Sequence, residues 1–217
     1  TDKSRFKLNL NSKENPNLEK QLKQLEMQFT ATRDALTNKF GAKKFIVYFQ
    51  SFTNTYAPIE TLKALYEKAL SFDNVVGLSI GTRSDSITEE TLDYLNELAE
   101  NKEIWVEYGI QSIYDETLEA INRGHDFANV KEWIEKTKQR KNLKICGHLI
   151  FGLPGETKDM MLETTKATID LGVDTIKYHI LYVTKNTALA IDYKKGRFTP
   201  ISEEDYLEVL VKSIQMQ

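Results

Sequence analysis

The pattern of apolar and polar positions divides the chain into strand-like and helix-like stretches. Arg5–Asn11 alternates, with Phe6, Leu8 and Leu10 on one side, and predicts a short strand. From about Asn17 a helical period takes over, carried by Leu18, Leu22, Leu25, Phe29 and Leu36. Lys43–Gln50 is a buried strand rich in β-branched and aromatic residues, and Ile59–Leu70 a helix with Leu62, Leu65, Tyr66 and Ala69 on one face. Asn74–Ile80 is a strand with Gly81–Ser86 as its exit loop. Thr88 caps a helix through Leu98, whose start Glu89 and Glu90 favour electrostatically. Glu103–Ile110 is the next strand, Asp115 caps a short helix through Ile121, and Ala128–Arg140 is another helix. Lys144–Phe151 is a strand ending in the turn Gly152–Gly155. Thr157–Leu171 is a helix closed by Gly172. Asp174–Tyr182 is a strand, Val183–Pro200 is irregular, and Ser202 with Glu203, Glu204 and Asp205 starts a last helix.

This makes six strand–helix units. Regular alternation implies parallel strands joined by right-handed crossovers. With no linker or charge block, residues 1–217 are expected to form a single domain of α/β class. Six units are too few for the eight-unit barrel. Two architectures remain: a six-unit partial barrel of TIM type, or a doubly wound open sheet.

Composition narrows the setting. Hydrophobic residues make up 41% and charged residues 28%, ordinary for a globular protein. The net charge of −3 gives no strong pull toward nucleic acid or an anionic membrane. No apolar run is long enough to span a bilayer, and the beginning of the chain has no signal-peptide core. The one cysteine, Cys146, excludes an internal disulfide framework and fits a reducing cytoplasm.

The strands carry an unusual inner face. One parity is apolar (Val106, Tyr108, Ile110; Ile145, Leu149; Ile176, Tyr178, Ile180) and is assigned to the helix layer. The other holds Glu107, Gly109 and Gln111, then Cys146 and His148, then Lys177, His179 and Leu181. A barrel that only packs would put branched apolar residues there. Unpartnered, these polar groups would each cost several kcal/mol, so they are paired, wet or ligand-bound. The exit loops add Gln50, Ser51, Thr53, Asn54, Thr82, Arg83, Asp85 and Ser112, with Arg123 and His125 beyond a short helix. Bland readings stand beside this one: a structural Glu107–Lys177 ion pair, a core His148, and a helix-ending Arg123–His125 turn. Ordinary barrel chemistry on a Schiff-base Lys177, or a metal held by His148 and His179, also stands open.

Val76–Asp85 (VGLSIGTRSD), Val106–Asp126 (VEYGIQSIYDETLEAINRGHD) and Cys146–Thr157 (CGHLIFGLPGET) together resemble radical S-adenosylmethionine enzymes, and Phe49–Pro58 fits them as well. The resemblance covers nearly all of the chain. It is similar to an uncharacterised bacterial family related to the radical domain of the Elongator catalytic subunit. It implies the six-unit partial barrel, S-adenosylmethionine across the strand ends, and a 4Fe-4S cluster. By similarity to oxygen-independent coproporphyrinogen oxidase, Gln111, Arg123 and His148 would meet the ribose and carboxylate of the cofactor. Thr82 and Arg83 stand at another contact position, where the residue type differs. Gln50 and Ser51 fall where the family binds the methionyl amino group, without the usual paired glycines. Gly152 and Leu153 would border the adenine.

One departure is large. The family ligates its cluster through CxxxCxxC after the first strand, and Cys146 is on the fifth. The cluster cysteines are expected in a loop missing after Asn11, near 11–12. A C-terminal extension is expected to be absent. The expected whole is a cytoplasmic enzyme of unknown substrate, served by an electron donor such as flavodoxin or ferredoxin. The alternative is a non-catalytic cofactor- or partner-binding barrel that has lost its cluster.

Overall fold

The structure is a computed structural model that describes residues 15–51 and 53–217. The expected strand Arg5–Asn11 and the junction after Asn11 lie outside the described residues. Five strands are described: β1 (Phe45–Phe49), β2 (Val75–Thr82), β3 (Glu103–Gln111), β4 (Lys144–Phe151) and β5 (Thr175–Ile180). They occur in one sheet in the order β1-β2-β3-β4-β5, and β1–β2 and β4–β5 pair in parallel. A doubly wound sheet reverses its order at a switch point, whereas a barrel winds without reversal. The described strands never reverse, so the partial-barrel expectation holds: α/β, with parallel strands in a half-barrel.

Packing divides the chain into two compact units. The first runs up to Thr82 and includes Ser86–Val106 and Arg140–Leu143. The second comprises Arg83–Asp85, Glu107–Gln139 and Lys144–Gln217.

In the first unit, α1 (Leu18–Phe40) ends on Gly41 in the left-handed region. No residue of α1 is fully buried; Phe29 anchors it by stacking on Phe72 at 4.5 Å and meeting Phe45 edge-on at 6.0 Å. α2 (Ile59–Leu70) buries Leu62, Tyr66 and Ala69, and α3 (Glu89–Leu98) buries Leu92, Tyr94 and Leu95. As its sequence predicts, Thr88 caps α3, its hydroxyl accepting from the Thr91 amide at 3.1 Å. Gly77 is required by crowding, since a Cβ there would sit 2.1 Å from the Glu103 carbonyl oxygen.

In the second unit the apolar parity does face the helices. Tyr108 Oη lies 2.8 Å from Thr137 Oγ1 on α5 (Phe127–Lys138), and Gly147 faces Ile110 and Thr168 of α6 (Lys158–Asp170). Phe151 packs on Tyr178 and on Tyr206 of α8 (Glu203–Gln215). Ser202 caps α8 as expected, and Thr157, read as the first residue of its helix, is instead the cap of α6. Two further local expectations are corrected. Asp115 does not cap α4 (Asp115–Ala120): it is the first helical residue, and its Oδ1 accepts from the Phe127 amide at 2.8 Å, tying α4 to α5. The stretch 183–200 contains α7 (Ala188–Lys194), capped by the Thr187 hydroxyl accepting from the Ala190 amide at 3.1 Å.

Candidate functional site

Two polar clusters form on the inner parity of the second unit. The first is at the end of β3. Gln111 ends that strand with φ +70°, a left-handed conformation that costs a non-glycine residue about 1 kcal/mol or more. Gly109, on the same strand face, leaves room above its α-carbon. A Cβ there would lie 2.6 Å from both Arg123 Nη2 and Gln111 Nε2, so these two side chains converge over it. Arg123 Nη2 donates to the Gly109 carbonyl at 2.6 Å.

The convergence leaves hydrogen-bonding capacity unused. Gln111 Oε1 and Arg123 Nε are buried with no partner, as is His125 Nε2 close by in sequence. Buried polar atoms are nearly always satisfied, and each orphan costs about 1–3 kcal/mol. Burial and the neighbouring Arg83 charge bring the Arg123 guanidinium down to about 10, so the site is short of negative charge. Arg83 does not relieve this, because it forks onto Asp85 with Nε–Oδ1 at 2.8 Å and Nη2–Oδ2 at 2.5 Å. That pairing holds Arg83 above its ordinary range, while burial and then Arg123 push His125 down toward the neutral form. The chemistry that completes this corner is a carboxylate with adjacent hydrogen-bond donors.

The second cluster spans three strands. Glu107 of β3 is 4% exposed, and Lys177 Nζ donates to its two oxygens at 2.8 and 2.7 Å. His148 of β4 places Nε2 2.6 Å from Glu107 Oε2, and its Nδ1 lies 3.1 Å from Nε2 of His179 on β5. The register makes this unavoidable: His148 pairs with Lys177 and Ile150 with His179, so these residues share a face. The ion pair read from the sequence is thus present, and it extends into a four-residue network.

Cys146, Glu107 and His148 bring donor atoms within 4.8 Å of one another, a set zinc could use. Lys177 already occupies both carboxylate oxygens, and burial pushes the Cys146 thiol up to about 12, far from the thiolate a metal needs. The cluster is therefore a proton-bearing network in this state.

The other residues singled out from the sequence have their own places. Gly152 and Leu153 are buried, the Gly152 amide donating to Met161 Sδ at 3.3 Å while its α-carbon faces Ile201. In the first unit Gln50 and Ser51 are exposed. Thr82 is buried with Oγ1 2.5 Å from Thr55 Oγ1. Asn54 is a fastener: its Nδ2 donates to the carbonyls of Phe49 at 2.8 Å and Gly81 at 3.0 Å, tying the ends of β1 and β2. Gly109 is the residue whose role the sequence pattern did not disclose, although a glycine inside a strand signals close approach of another group.

Comparison with known proteins bears on this geometry. The sequence model of the Radical SAM superfamily matches residues 20–168, and that of the Radical_SAM C-terminal domain matches residues 173–217. The uncharacterized protein YtqA of Bacillus subtilis is 40% identical over 189 residues, covering 87% of this chain and 58% of YtqA. The chain thus spans little more than half the length of that relative. Among solved structures, the archaeal Methanocaldococcus infernus Elp3 with an N-terminal deletion superposes with a TM-score of 0.73 at 26% identity, covering 87% of this chain and 49% of Elp3. Coproporphyrinogen III oxidase (HemN) from Escherichia coli, described as a radical SAM enzyme, gives 0.60 at 22% identity over 75% of this chain and 37% of its own, a likeness of fold.

The superfamily uses S-adenosylmethionine and a 4Fe-4S cluster. The residues present fit the first: a carboxylate-bearing ligand with an amino group answers the orphaned Arg123 Nε and Gln111 Oε1. They do not fit the second. The chain has one cysteine, buried in mid-strand with a raised thiol, and a cluster of this kind needs several thiolates.

Proposed function

The chain belongs to the radical SAM superfamily, and on that premise we propose that it forms the S-adenosylmethionine-binding barrel of a radical SAM enzyme. The observation that carries the reading is the pair of buried, unpartnered atoms, Arg123 Nε and Gln111 Oε1, meeting over Gly109. In this reading Arg123 takes the methionyl carboxylate of the cofactor, as an arginine fork does with planar anions. Gln111 Oε1 accepts from the amino group, and His148, both of whose ring nitrogens are engaged by Glu107 and His179, stands one strand away. The strained backbone at Gln111 is held in advance of binding, so little ordering is left to occur when the ligand arrives.

In a radical SAM enzyme a 4Fe-4S cluster would supply the electron for hydrogen-abstraction chemistry on bound S-adenosylmethionine; this chain's own part in the proposal is to bind and orient that cofactor through Arg123 and Gln111. This chain carries no cluster cysteines, since Ser12 follows Asn11 directly and Cys146 is its one cysteine, so the radical reaction is proposed only for a protein with a cysteine-bearing loop at that junction. A cytoplasmic setting and a flavodoxin- or ferredoxin-type electron donor belong to the same proposal. No helix among the described residues is long and apolar enough to cross a membrane. A second reading, a cofactor-binding barrel without radical chemistry, is favoured by one specific observation, the single buried cysteine.

The deciding experiment has two arms on the protein as encoded. Calorimetry with S-adenosylmethionine tests the binding site. Anaerobic reconstitution with iron and sulfide, followed by assay for 5′-deoxyadenosine, tests the chemistry. Binding with 5′-deoxyadenosine supports the enzyme, binding without it supports the second reading, and no binding overturns both.

A further inference from the structure

The network Glu107–His148–His179 contains more than cofactor binding requires. The two imidazoles stack with centroids 5.0 Å apart and planes at 27°. A carboxylate that already takes an ammonium on both oxygens can only accept from His148, so the His148 Nε2 carries the hydrogen. In the neutral ring its Nδ1 is then an acceptor, and the 3.1 Å contact is filled by N–H of His179 Nε2. This leaves Nδ1 of His179 as a lone pair on an exposed residue. The titratable groups facing His179 are His148 from β4, Glu107 from β3 and Lys177 from its own strand.

We propose that His179 is the proton acceptor for the substrate, held in one tautomer by His148 and Glu107. The substrate it serves carries an O–H or N–H group beside the carbon at which it reacts. The inference rests on the radical SAM reading only in taking the inner strand face as the one the substrate meets. The step is a proton transfer: the substrate O–H or N–H bond breaks, its electron pair stays on the heteroatom, and an N–H bond forms at His179 Nδ1. The resulting imidazolium faces the Glu107 carboxylate through His148, the arrangement by which a buried acid orients a histidine and stabilises its charged form. Partial burial of the ring lowers the His179 pKa, which keeps the base unprotonated at neutral pH. His148 and Glu107 are positioning residues; His179 is the group that touches substrate.

The chain has three histidines, so each ring can be followed separately. In nitrogen-15 NMR of the whole histidine-labelled chain, without S-adenosylmethionine, His148 and His179 are expected as Nε2–H tautomers, with His179 titrating below the ordinary histidine value of about 6.5. Diethylpyrocarbonate is expected to modify His179 fastest, and His179→Gln to remove that fast phase. Glu107→Gln is expected to redistribute the His179 tautomers, a spectroscopic change that a space-filling histidine would not show. An Nδ1–H tautomer at His179, or a fast phase that survives His179→Gln, overturns the proposal. The wild-type tautomers are read whether or not a variant folds. Since none of these measurements uses the cofactor, failure here and failure of S-adenosylmethionine binding are separate results.

Discussion

Lys177 Nζ bridges both carboxylate oxygens of Glu107 across two strands that are 70 residues apart in the chain, with Glu107 4% exposed and Lys177 41%. The pair is therefore buried at one end and wet at the other. Removing the lysine would take the ammonium away from a buried carboxylate. Breaking a buried ion pair in this way costs about 3–5 kcal/mol, and partial solvation of Lys177 puts its loss near the lower end. Lys177→Met should lower the unfolding free energy by about 3 kcal/mol in urea titrations, and Glu107→Leu/Lys177→Met should recover most of it. A loss under about 1 kcal/mol for the single variant would show that water reaches Glu107 freely.

The convergence at Gly109 predicts a trade between stability and binding. Gln111→Gly relieves a left-handed backbone and removes an orphaned buried oxygen. Its unfolding free energy should stay level or rise by up to about 1 kcal/mol. Its affinity for S-adenosylmethionine, by calorimetry, should fall about tenfold or more, the worth of one hydrogen bond to a charged group. Equal affinity in the variant would remove Gln111 from the site.

Arg123→Met tests the same corner from the other side. It takes away the guanidinium that burial and Arg83 have destabilised. Affinity for S-adenosylmethionine should drop about 10- to 100-fold. The binding midpoint for S-adenosylhomocysteine, which keeps the carboxylate but lacks the sulfonium, should move in parallel. Loss of one ligand without the other would place Arg123 away from the carboxylate.

Gly77→Ala should cost stability far from any chemistry. Its Cβ would land 2.1 Å from the Glu103 carbonyl oxygen, a backbone atom that cannot swing away. Overpacking of this kind costs about 1–3 kcal/mol. Denaturant midpoints should show that loss, with the change in heat capacity unaltered.

Acid should weaken the fold through His125. Burial, followed by repulsion from Arg123, lowers its folded pKa below the unfolded value of about 6.5. Between the two values the unfolded chain binds more protons, so stability rises with pH in that window and is complete above it. Urea midpoints should therefore fall as pH is lowered through 6.5, a slope that His125→Gln should flatten. An unchanged slope in the variant would assign the acid sensitivity to other groups.

What the sequence discloses follows the range of the interactions involved. The caps at Thr88 and Ser202 and the left-handed Gly172 are local, fixed within a few residues, and they appear where the sequence puts them. The parity of β3, β4 and β5 is legible too, because alternation on a strand reports which face is covered. Asp115 looks like a cap by residue type, yet its carboxylate reaches twelve residues onward to Phe127, a choice made by tertiary packing. α7 escapes a periodicity reading because it is only seven residues long and leaves Ile191 and Tyr193 exposed. The meeting of Gln111 and Arg123 over Gly109 joins a strand end to a turn twelve residues on. The periodicity of neither element discloses it.

Cys146 has one last consequence. It is the only thiol in the chain, 1% exposed in mid-strand, and burial makes it a poor nucleophile while the sheet is closed. A disulfide reagent can reach it only during the moments when β4 comes away from its neighbours. The rate of its labelling is then a clock for that opening, read without mutation, and it reports the stability of the strand that carries His148.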